Sequence, residues 1–302
     1  MTVNGRTFGI GRRDQKIMKG FINLYKPCGV SSAFAVGAVK RKLNTTCGHM
    51  GTLDPMASGI LPVGVGKASR LFQFITEKKK TYRARFKFGV STDTLDVTGT
   101  VEKTTDIIPT EEEIKAALLS FTGEIMQRPP KYSAKSVGGR RGYELARKGV
   151  DFDLPEKKVS VFRYEFLGKT EDCGENEYAF EIDCGGGTYI RSLARDLGEK
   201  LGSLAVMSAL ERTASGIFTK ENSVTLEELK NSDDPEKFLI KPELTVNFPE
   251  IILSDREATR ILNGIFDYRV EKDGLYKVFN EKEFLGVGEA ANGILRIKAY
   301  VR

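Results

Sequence analysis

The spacing of apolar residues along the chain predicts both strands and helices. Alternating or short continuous apolar runs between turn residues indicate strands, and apolar residues three or four apart indicate helices. These criteria predict strands near 21–25, 60–65, 81–90, 157–168, 177–184, 204–211 and 215–219, and helices near 31–43, 67–75, 110–121, 188–201 and from 225 onward. The two element types are therefore mixed along most of the chain.

The predicted strand at 81–90 alternates large apolar residues with charged ones. Tyr82 falls on the apolar side with Phe86 and Phe88, and Arg83 and Arg85 fall on the polar side. This alternation is typical of a strand with one buried face. Strand propensity alone makes Tyr82 a core tyrosine.

The predicted helix at 188–201 has one apolar face. Beside that face lie Arg191 and Arg195, one helical turn apart. By itself this position suits a structural or phosphate-binding arginine.

The chain divides by pattern into three parts. Residues 1–19 are basic, show no clear period and are interpreted as a mobile arm. Residues 20–247 form the main domain. Residues 248–302 predict a small, separate, mostly β module, with a helix at 255–262 and hairpin turns at Asp273-Gly274 and Asn292-Gly293.

Charge indicates a polyanionic partner. The net charge is +6, and 40% of the 302 residues are hydrophobic, which suffices for a large core. Basic residues cluster at 77–87 and 126–148, where Tyr82, Phe86, Tyr132 and Tyr143 are interspersed. Basic clusters with aromatic residues suit nucleic acid, although a charge run is often only a solvated surface.

The composition argues against metal, nucleotide cofactor, membrane and export. Four cysteines and one histidine give no zinc spacing, so the cysteines are expected to be reduced thiols in the cytoplasm. Residues 64–69 resemble a phosphate loop, but Leu61 and Ala68 break the required pattern. No apolar run reaches about 18 residues, the length of a membrane span.

One segment places a carboxylate in a turn. Gly48 to Gly59 contains His49, the only histidine, and Asp54 directly before Pro55. Glycine and proline set the backbone so that a side chain is aimed rather than packed, and catalytic groups are common in such loops. Taken alone, the pattern still favours a turn residue and a structural histidine.

In their order along the chain, this segment and four others resemble the motifs of the TruB family of tRNA pseudouridine synthases. The matching segments are Gly20 to Ser32, Gly48 to Gly59, Lys80 to Ala84, Gly187 to Ser192 and Ser208 to Thr213. The resemblance covers roughly residues 20 to 302. Two departures, Tyr25 before Lys26-Pro27 and Met50 after His49, replace no group with a chemical role and affect only the expected local RNA contacts.

The resemblance implies a role for each matched residue. Asp54 is the catalytic carboxylate, Tyr82 stacks on the target uracil near the proton to be removed, and Arg191 pairs with Asp54 and keeps it ionised. The substrate-binding set comprises His49, which fills space left by flipped nucleotides, Leu210, which packs on the base edge, Lys26, which contacts phosphate, and Gly51 and Tyr189 from the same motifs.

The resemblance also implies the fold and the reaction. The fold is α+β, a pseudouridine-synthase domain with a central mixed or antiparallel sheet flanked by helices, followed by a PUA-like module. The reaction is conversion of uridine 55 in the T-arm loop of tRNA to pseudouridine without cofactor or metal, by a monomer without an obligate protein partner. The alternatives are a guide-RNA-dependent synthase for ribosomal RNA and an RNA-folding or RNA-binding protein without turnover.

Overall fold

The structure is a computed structural model that describes residues 18–75, 78–133, 136–137, 139–146, 148–150 and 152–301. The predicted mobile arm at 1–19 lies almost wholly outside these residues. No helix in the described ranges is long and apolar enough to cross a membrane.

The strands and helices alternate irregularly along the chain. The strands are β1 (Gly20–Lys26), β2 (Cys47–His49), β3 (Ser58–Val65), β4 (Lys80–Phe88), β5 (Val90–Thr92), β6 (Val101–Thr104), β7 (Gly123–Gln127), β8 (Ser136–Val137), β9 (Arg140–Arg141), β10 (Lys157–Gly168), β11 (Glu177–Cys184), β12 (Ala205–Ser215), β13 (Phe218–Thr219), β14 (Val224–Thr225), β15 (Leu239–Ile240), β16 (Glu250–Leu253), β17 (Gly274–Asn280), β18 (Phe284–Ala291) and β19 (Ile294–Tyr300). The α-helices are α1 (Ser32–Leu43), α2 (Glu111–Leu118), α3 (Gly142–Ala146), α4 (Ile190–Lys200), α5 (Leu226–Asn231) and α6 (Asp255–Leu262). Short 3₁₀ helices span Gly66–Gln73, Leu119–Phe121, Pro235–Phe238 and Pro242–Thr245.

One large mixed sheet organises the main part of the chain. Its strand order is β14-β1-β3-β12-β4-β11-β10-β7, with β2, β13 and β15 attached to its sides. Most neighbours are antiparallel, while β1 with β14 and β3 with β12 are parallel. Apolar residues of α1, α2 and α4 share one buried cluster with this sheet. The predicted α+β class and the central mixed sheet are confirmed.

Helix starts follow their capping residues. Ser31 caps α1 by accepting a hydrogen bond from the backbone of Phe34, and Thr110 and Thr225 form capping boxes at α2 and α5. The helix predicted at 67–75 is instead a 3₁₀ helix, in which the Ser69 hydroxyl donates to the Gly66 carbonyl three residues earlier.

The strands predicted at 204–211 and 215–219 were divided in the wrong place. β12 runs without a break from Ala205 to Ser215, and the short β13 follows it. Register shifts between Met207 and Ala209 and between Arg212 and Ala214 bend β12 and let it continue along β4. A bulge of this kind leaves no signal in residue alternation.

The C-terminal part has its own sheet, ordered β16-β17-β18-β19, with α6 packed on it. Asn292-Gly293 forms the predicted two-residue turn, and both residues have positive φ. Asp273-Gly274 is no hairpin: Gly274 is the first residue of β17, and the Asp273 carboxylate accepts the backbone N–H groups of Asn292 and Gly293.

The C-terminal sheet packs against the large sheet. One apolar cluster joins both sheets: Phe21 and Ile60 of the large sheet pack with Phe284, Val287 and Ala299 of the small one. Sequence alternation identifies buried residues but not the sheet they pack against. The boundary at 247–248 stays a prediction.

Candidate active site

The loop that carries Asp54 connects β2 to β3 and is fixed by the start of α1. The hydroxyl of Ser32 donates to the Leu53 carbonyl at 2.8 Å and accepts the Leu53 N–H at 2.9 Å. The backbone N–H of Gly29 donates to the Pro55 carbonyl at 2.8 Å. The residues on each side of Asp54 are thus held in place, which orients its carboxylate.

Lys26 holds the same loop from within the fold. Its side chain is fully buried, and its ammonium group donates to the carbonyls of Pro27, Val30 and Pro55 at 2.9, 2.7 and 3.4 Å. Burial lowers the pKa of Lys26 to about 8. The predicted phosphate contact is wrong here because the donors are already used within the fold.

Arg191, at the start of α4, faces Asp54 as predicted. Its Nε lies 3.0 Å from Oδ2 of Asp54, and only 6% of its side chain is exposed. Its two terminal nitrogens donate to the carbonyls of Thr94 and Tyr132 at 2.8 and 2.9 Å. The predicted ion pair is confirmed, and three bonds fix the guanidinium.

Burial, however, dominates the electrostatics of Asp54. Desolvation raises the pKa of Asp54, and the nearby Asp96 raises it further, while Arg191 and Lys26 lower it. Asp96 also lies 3.6 Å from Arg191 Nη1, so the arginine serves two carboxylates. The effect of Arg191 on the pKa of Asp54 has the predicted sign, and burial acts in the opposite direction. That Arg191 keeps the carboxylate ionised stays a prediction.

Tyr82 and Leu210 lie in the apolar floor next to this pair. Both are nearly buried and belong to the main core cluster, Tyr82 on β4 and Leu210 on β12. Burial raises the pKa of the Tyr82 hydroxyl, Arg212 opposes the shift, and Asp54 adds to it. The structure thus brings Asp54, Arg191 and Tyr82 to one place.

The remaining predicted residues border the loop. His49 is half-buried at the end of β2, and within the described ranges its Nδ1 has no hydrogen-bond partner. Burial, followed by Arg212, lowers the pKa of its ring. A neutral ring suits stacking better than proton exchange. Tyr189 precedes α4, and its backbone N–H and carbonyl both bond the Gln127 side chain, at 2.8 and 3.1 Å.

Gly51 is required by geometry. Its φ is +80°, and a Cβ at this position would stand 2.8 Å from the ammonium nitrogen of Lys80. Only glycine combines this backbone angle with so close an approach.

Sequence reasoning missed Arg212. This arginine on β12 has no exposed surface; Nε donates to the Ile60 carbonyl at 2.6 Å and Nη2 to the Gly51 carbonyl at 3.0 Å. These two bonds connect β12 to β3 and to the loop that carries Asp54. In the pairing of β12 with β4, Arg212 lies opposite Tyr82. The available signal was its position two residues after Leu210, which on a strand places both on one side.

Three of the six basic residues in the run at 77–87 are paired with acids. Lys79 pairs with Asp183, Arg83 with Glu181, and Arg85 with Asp172, at 3.6, 3.2 and 3.0 Å. The interpretation of this run as an open RNA-binding surface is too simple. In the second run, the side chains of Arg140 and Arg141 lie outside the described part, so that prediction stays open.

The comparisons with known proteins agree with this geometry. Residues 40–190 match the family model "TruB family pseudouridylate synthase (N terminal domain)", and residues 191–241 and 249–299 match two models of TruB C-terminal domains. The fold and these family models thus define a pseudouridine synthase. The chain belongs to the TruB family.

Curated relatives are similar over nearly their whole length. The chain is 40% identical to "tRNA pseudouridine synthase B" of Aquifex aeolicus, covering 93% of this chain and 99% of the relative. It is 37% identical to the protein of the same name from Alkaliphilus oremlandii, covering 91% and 94%.

Solved structures share the fold. A chain from "Structure of H/ACA RNP bound to a substrate RNA containing 2'-deoxyuridine" has a TM-score of 0.68 and 25% identity, covering 94% of this chain and 85% of that one. A chain from a Cbf5-Nop10-Gar1 complex has a TM-score of 0.65 and 27% identity, covering 93% and 79%.

Proposed function

We propose that this pseudouridine synthase converts uridine 55 in the T-arm loop of tRNA to pseudouridine. The observation that carries the proposal is the Asp54–Arg191 ion pair beside Tyr82. The names and 37–40% identity of the curated relatives support tRNA as the substrate. We further propose that the enzyme acts in the cytoplasm as a monomer, without cofactor or protein partner.

In this proposal the reaction detaches the uracil, turns it and rejoins it through carbon. The target base leaves its stack, which costs a few kcal/mol, and lies between Tyr82 and Leu210. His49 occupies space left in the RNA loop and offsets part of that cost. Tyr82 and Leu210 are nearly buried, and a base bound against them would cover the partly exposed Asp54 carboxylate and keep water away while the base is detached.

Asp54 acts on the ribose as a nucleophile or as a base. Ser32, Gly29 and Lys26 hold the loop on either side, and Arg191 orients the carboxylate. Tyr82 then lies on the side where the carbon-bound proton is removed. Each step uses groups of this chain only, in line with the proposed independence from cofactors.

Tritium release tests the proposal. Unmodified tRNA carrying tritium at uracil C5 is incubated with the protein alone, and released tritium is counted. We expect release from one T-loop uridine. Absence of release with a folded protein would contradict the function, and would fit an RNA-binding protein without turnover.

A guide-RNA-dependent synthase is the second candidate, because solved chains from H/ACA particles share the fold. The same assay separates the two. Release without guide RNA or added protein supports the tRNA enzyme, whereas release only with both supports the alternative.

A further inference from the structure

Lys80 brings a positive charge to the active site without a negative partner. Three neighbouring cations are paired with acids, namely Lys79 just before β4 and Arg83 and Arg85 on β4. Lys80 makes no ion pair or hydrogen bond with any described residue. Its charge is therefore uncompensated within the described part of the fold.

Alternation along β4 places Lys80 on the same face as Tyr82. Residues two apart on a strand point the same way and are separated by about 7 Å. Lys79 and Arg83 point to the opposite face, where they meet Asp183 and Glu181. Lys80 is thus separated from the surface charges of its run and faces the catalytic loop.

Two cationic groups converge at the start of that loop. The point where Gly51 would carry a Cβ lies 2.8 Å from Nζ of Lys80 and 3.5 Å from Nη1 of Arg212. Nη1 is buried and has no hydrogen-bond partner among the residues that the structure describes. Two like charges this close to one point repel each other unless an anion lies beside them.

The arrangement disfavours the charged form of Lys80. Burial, followed by repulsion from Arg212 on β12, lowers the pKa of Lys80 to about 8, while Cys184 on β11 opposes the shift. Gly51 is the residue of the loop carrying Asp54 that approaches Lys80 in this way. A lysine held in this way destabilises the fold at neutral pH, because the unfolded chain binds its proton more tightly.

We propose that Lys80 binds a backbone phosphate of the RNA substrate, next to the nucleotide whose base stacks on Tyr82, with Arg212 as a fixed charge behind it. The inference rests on the proposed function for the identity of the substrate. A phosphodiester is the anion that a nucleic acid supplies at every nucleotide. Its charge offsets the repulsion that the free enzyme carries.

The proposal predicts that RNA binding is linked to proton uptake. Phosphate stabilises the protonated amine, so tRNA affinity should be constant near pH 7 and fall as pH rises through about 8. Arginine keeps its charge throughout this range. Binding by Lys80→Arg should therefore lack the fall near pH 8.

The experiment measures Kd for tRNA between pH 7 and 9 with wild type, Lys80→Arg, Lys80→Met and Lys79→Met. At pH 7 we expect Lys80→Met to bind roughly tenfold more weakly, the loss of one hydrogen bond to a charged group. We expect Lys79→Met to keep the wild-type pH profile, since its ammonium pairs with Asp183 on the other face. A melting temperature of Lys80→Met equal to or above wild type shows that the variant is folded.

A T-arm hairpin with a neutral methylphosphonate at either phosphate flanking the target uridine locates the contact. Wild type should lose about tenfold in affinity at one position, and Lys80→Met should lose nothing more there. Equal losses for both proteins, or a wild-type pH profile in Lys80→Arg, would overturn the proposal. Because tritium release by wild type is measured separately, failure of this contact is distinguishable from failure of the proposed function.

Discussion

The protein carries two ionic clusters with opposite electrostatic character. The outer cluster lies on the solvent face of β4, β10 and β11 and consists of Arg83, Arg163, Glu181 and Asp183. Its hydrogen bonds lower the pKa of Glu181, chiefly through Arg163. In the active site, burial raises the pKa of Asp54 and lowers that of Lys80.

The difference shows that ionisation stabilises the fold in the outer cluster and destabilises it in the active site. In the outer cluster, the charged form of each acid is favoured by its partners, so ionisation stabilises the folded state. In the active site the charged forms of Asp54 and Lys80 are disfavoured, so both groups cost stability at neutral pH. Perturbed groups of this kind are typical of functional sites.

Exchanging one carboxylate for an amide in each cluster gives the largest contrast. Asp54→Asn should reduce tritium release by at least about a thousandfold, because a neutral amide replaces the carboxylate that we propose acts on the ribose. Its tRNA affinity and melting temperature should stay equal to or above wild type. Glu181→Gln, the matched control, should keep full turnover and melt at a lower temperature. Retention of more than a few per cent of activity by Asp54→Asn would show that another group is the catalytic carboxylate.

Substitutions of Tyr82 test whether this buried side chain takes part in the chemistry or contributes only packing. Tyr82→Phe keeps the ring and loses the hydroxyl, so tRNA binding should be preserved while single-turnover release slows by tenfold or more. Tyr82→Leu should damage both, because base stacking on an aromatic ring contributes about 1 to 3 kcal/mol. If Tyr82→Phe turns over as fast as wild type, the hydroxyl has no part in proton removal.

Removal of residues 249–302 tests whether the large sheet alone keeps the protein folded and the active site functional. The shared apolar cluster means that truncation exposes Phe21 and Ile60, so we expect a melting temperature several degrees lower. Catalysis on a short T-arm hairpin should persist at a temperature where the truncated protein stays folded, because the proposed catalytic residues all precede Leu210. A folded but inactive truncation would show that the C-terminal part completes the active site.

Sequence patterns predicted what depends on local alternation and on the family resemblance. The strand face of Tyr82 followed from alternation, and the ion pair between Asp54 and Arg191 followed from the resemblance. The prediction that Lys26 contacts phosphate did not take its burial into account. A Lys-Pro pair in a turn gives no sign that the ammonium group bonds the carbonyl of Pro55 in the loop that carries Asp54.

Arg212 and Lys80 were missed as site residues for a related reason. A fully buried arginine and an unpaired lysine contradict the usual preference of charged residues for solvent. Their importance depends on Gly51, which approaches both from another segment of the chain. Such a convergence of three segments is a property of the tertiary fold, which one sequence does not reveal.

The smallest expected effect is the opposite pH dependence of stability in the two clusters. The folded-state pKa of Asp54 is raised above its usual value of 3.8, so the folded protein binds this proton more tightly than the unfolded chain does. The contribution of Asp54 to stability therefore falls as pH rises from 3.8 through the folded-state pKa. The pKa of Glu181 is lowered from 4.5, so its contribution is present above that pH and is lost as pH falls through the folded-state pKa. The advantage of Asp54→Asn over wild type in melting temperature should therefore grow from pH 4 to pH 7, while the deficit of Glu181→Gln should shrink as pH falls below about 4.5. If the melting temperatures of the two variants, relative to wild type, changed with pH in the same way, the clusters would not differ as the structure indicates.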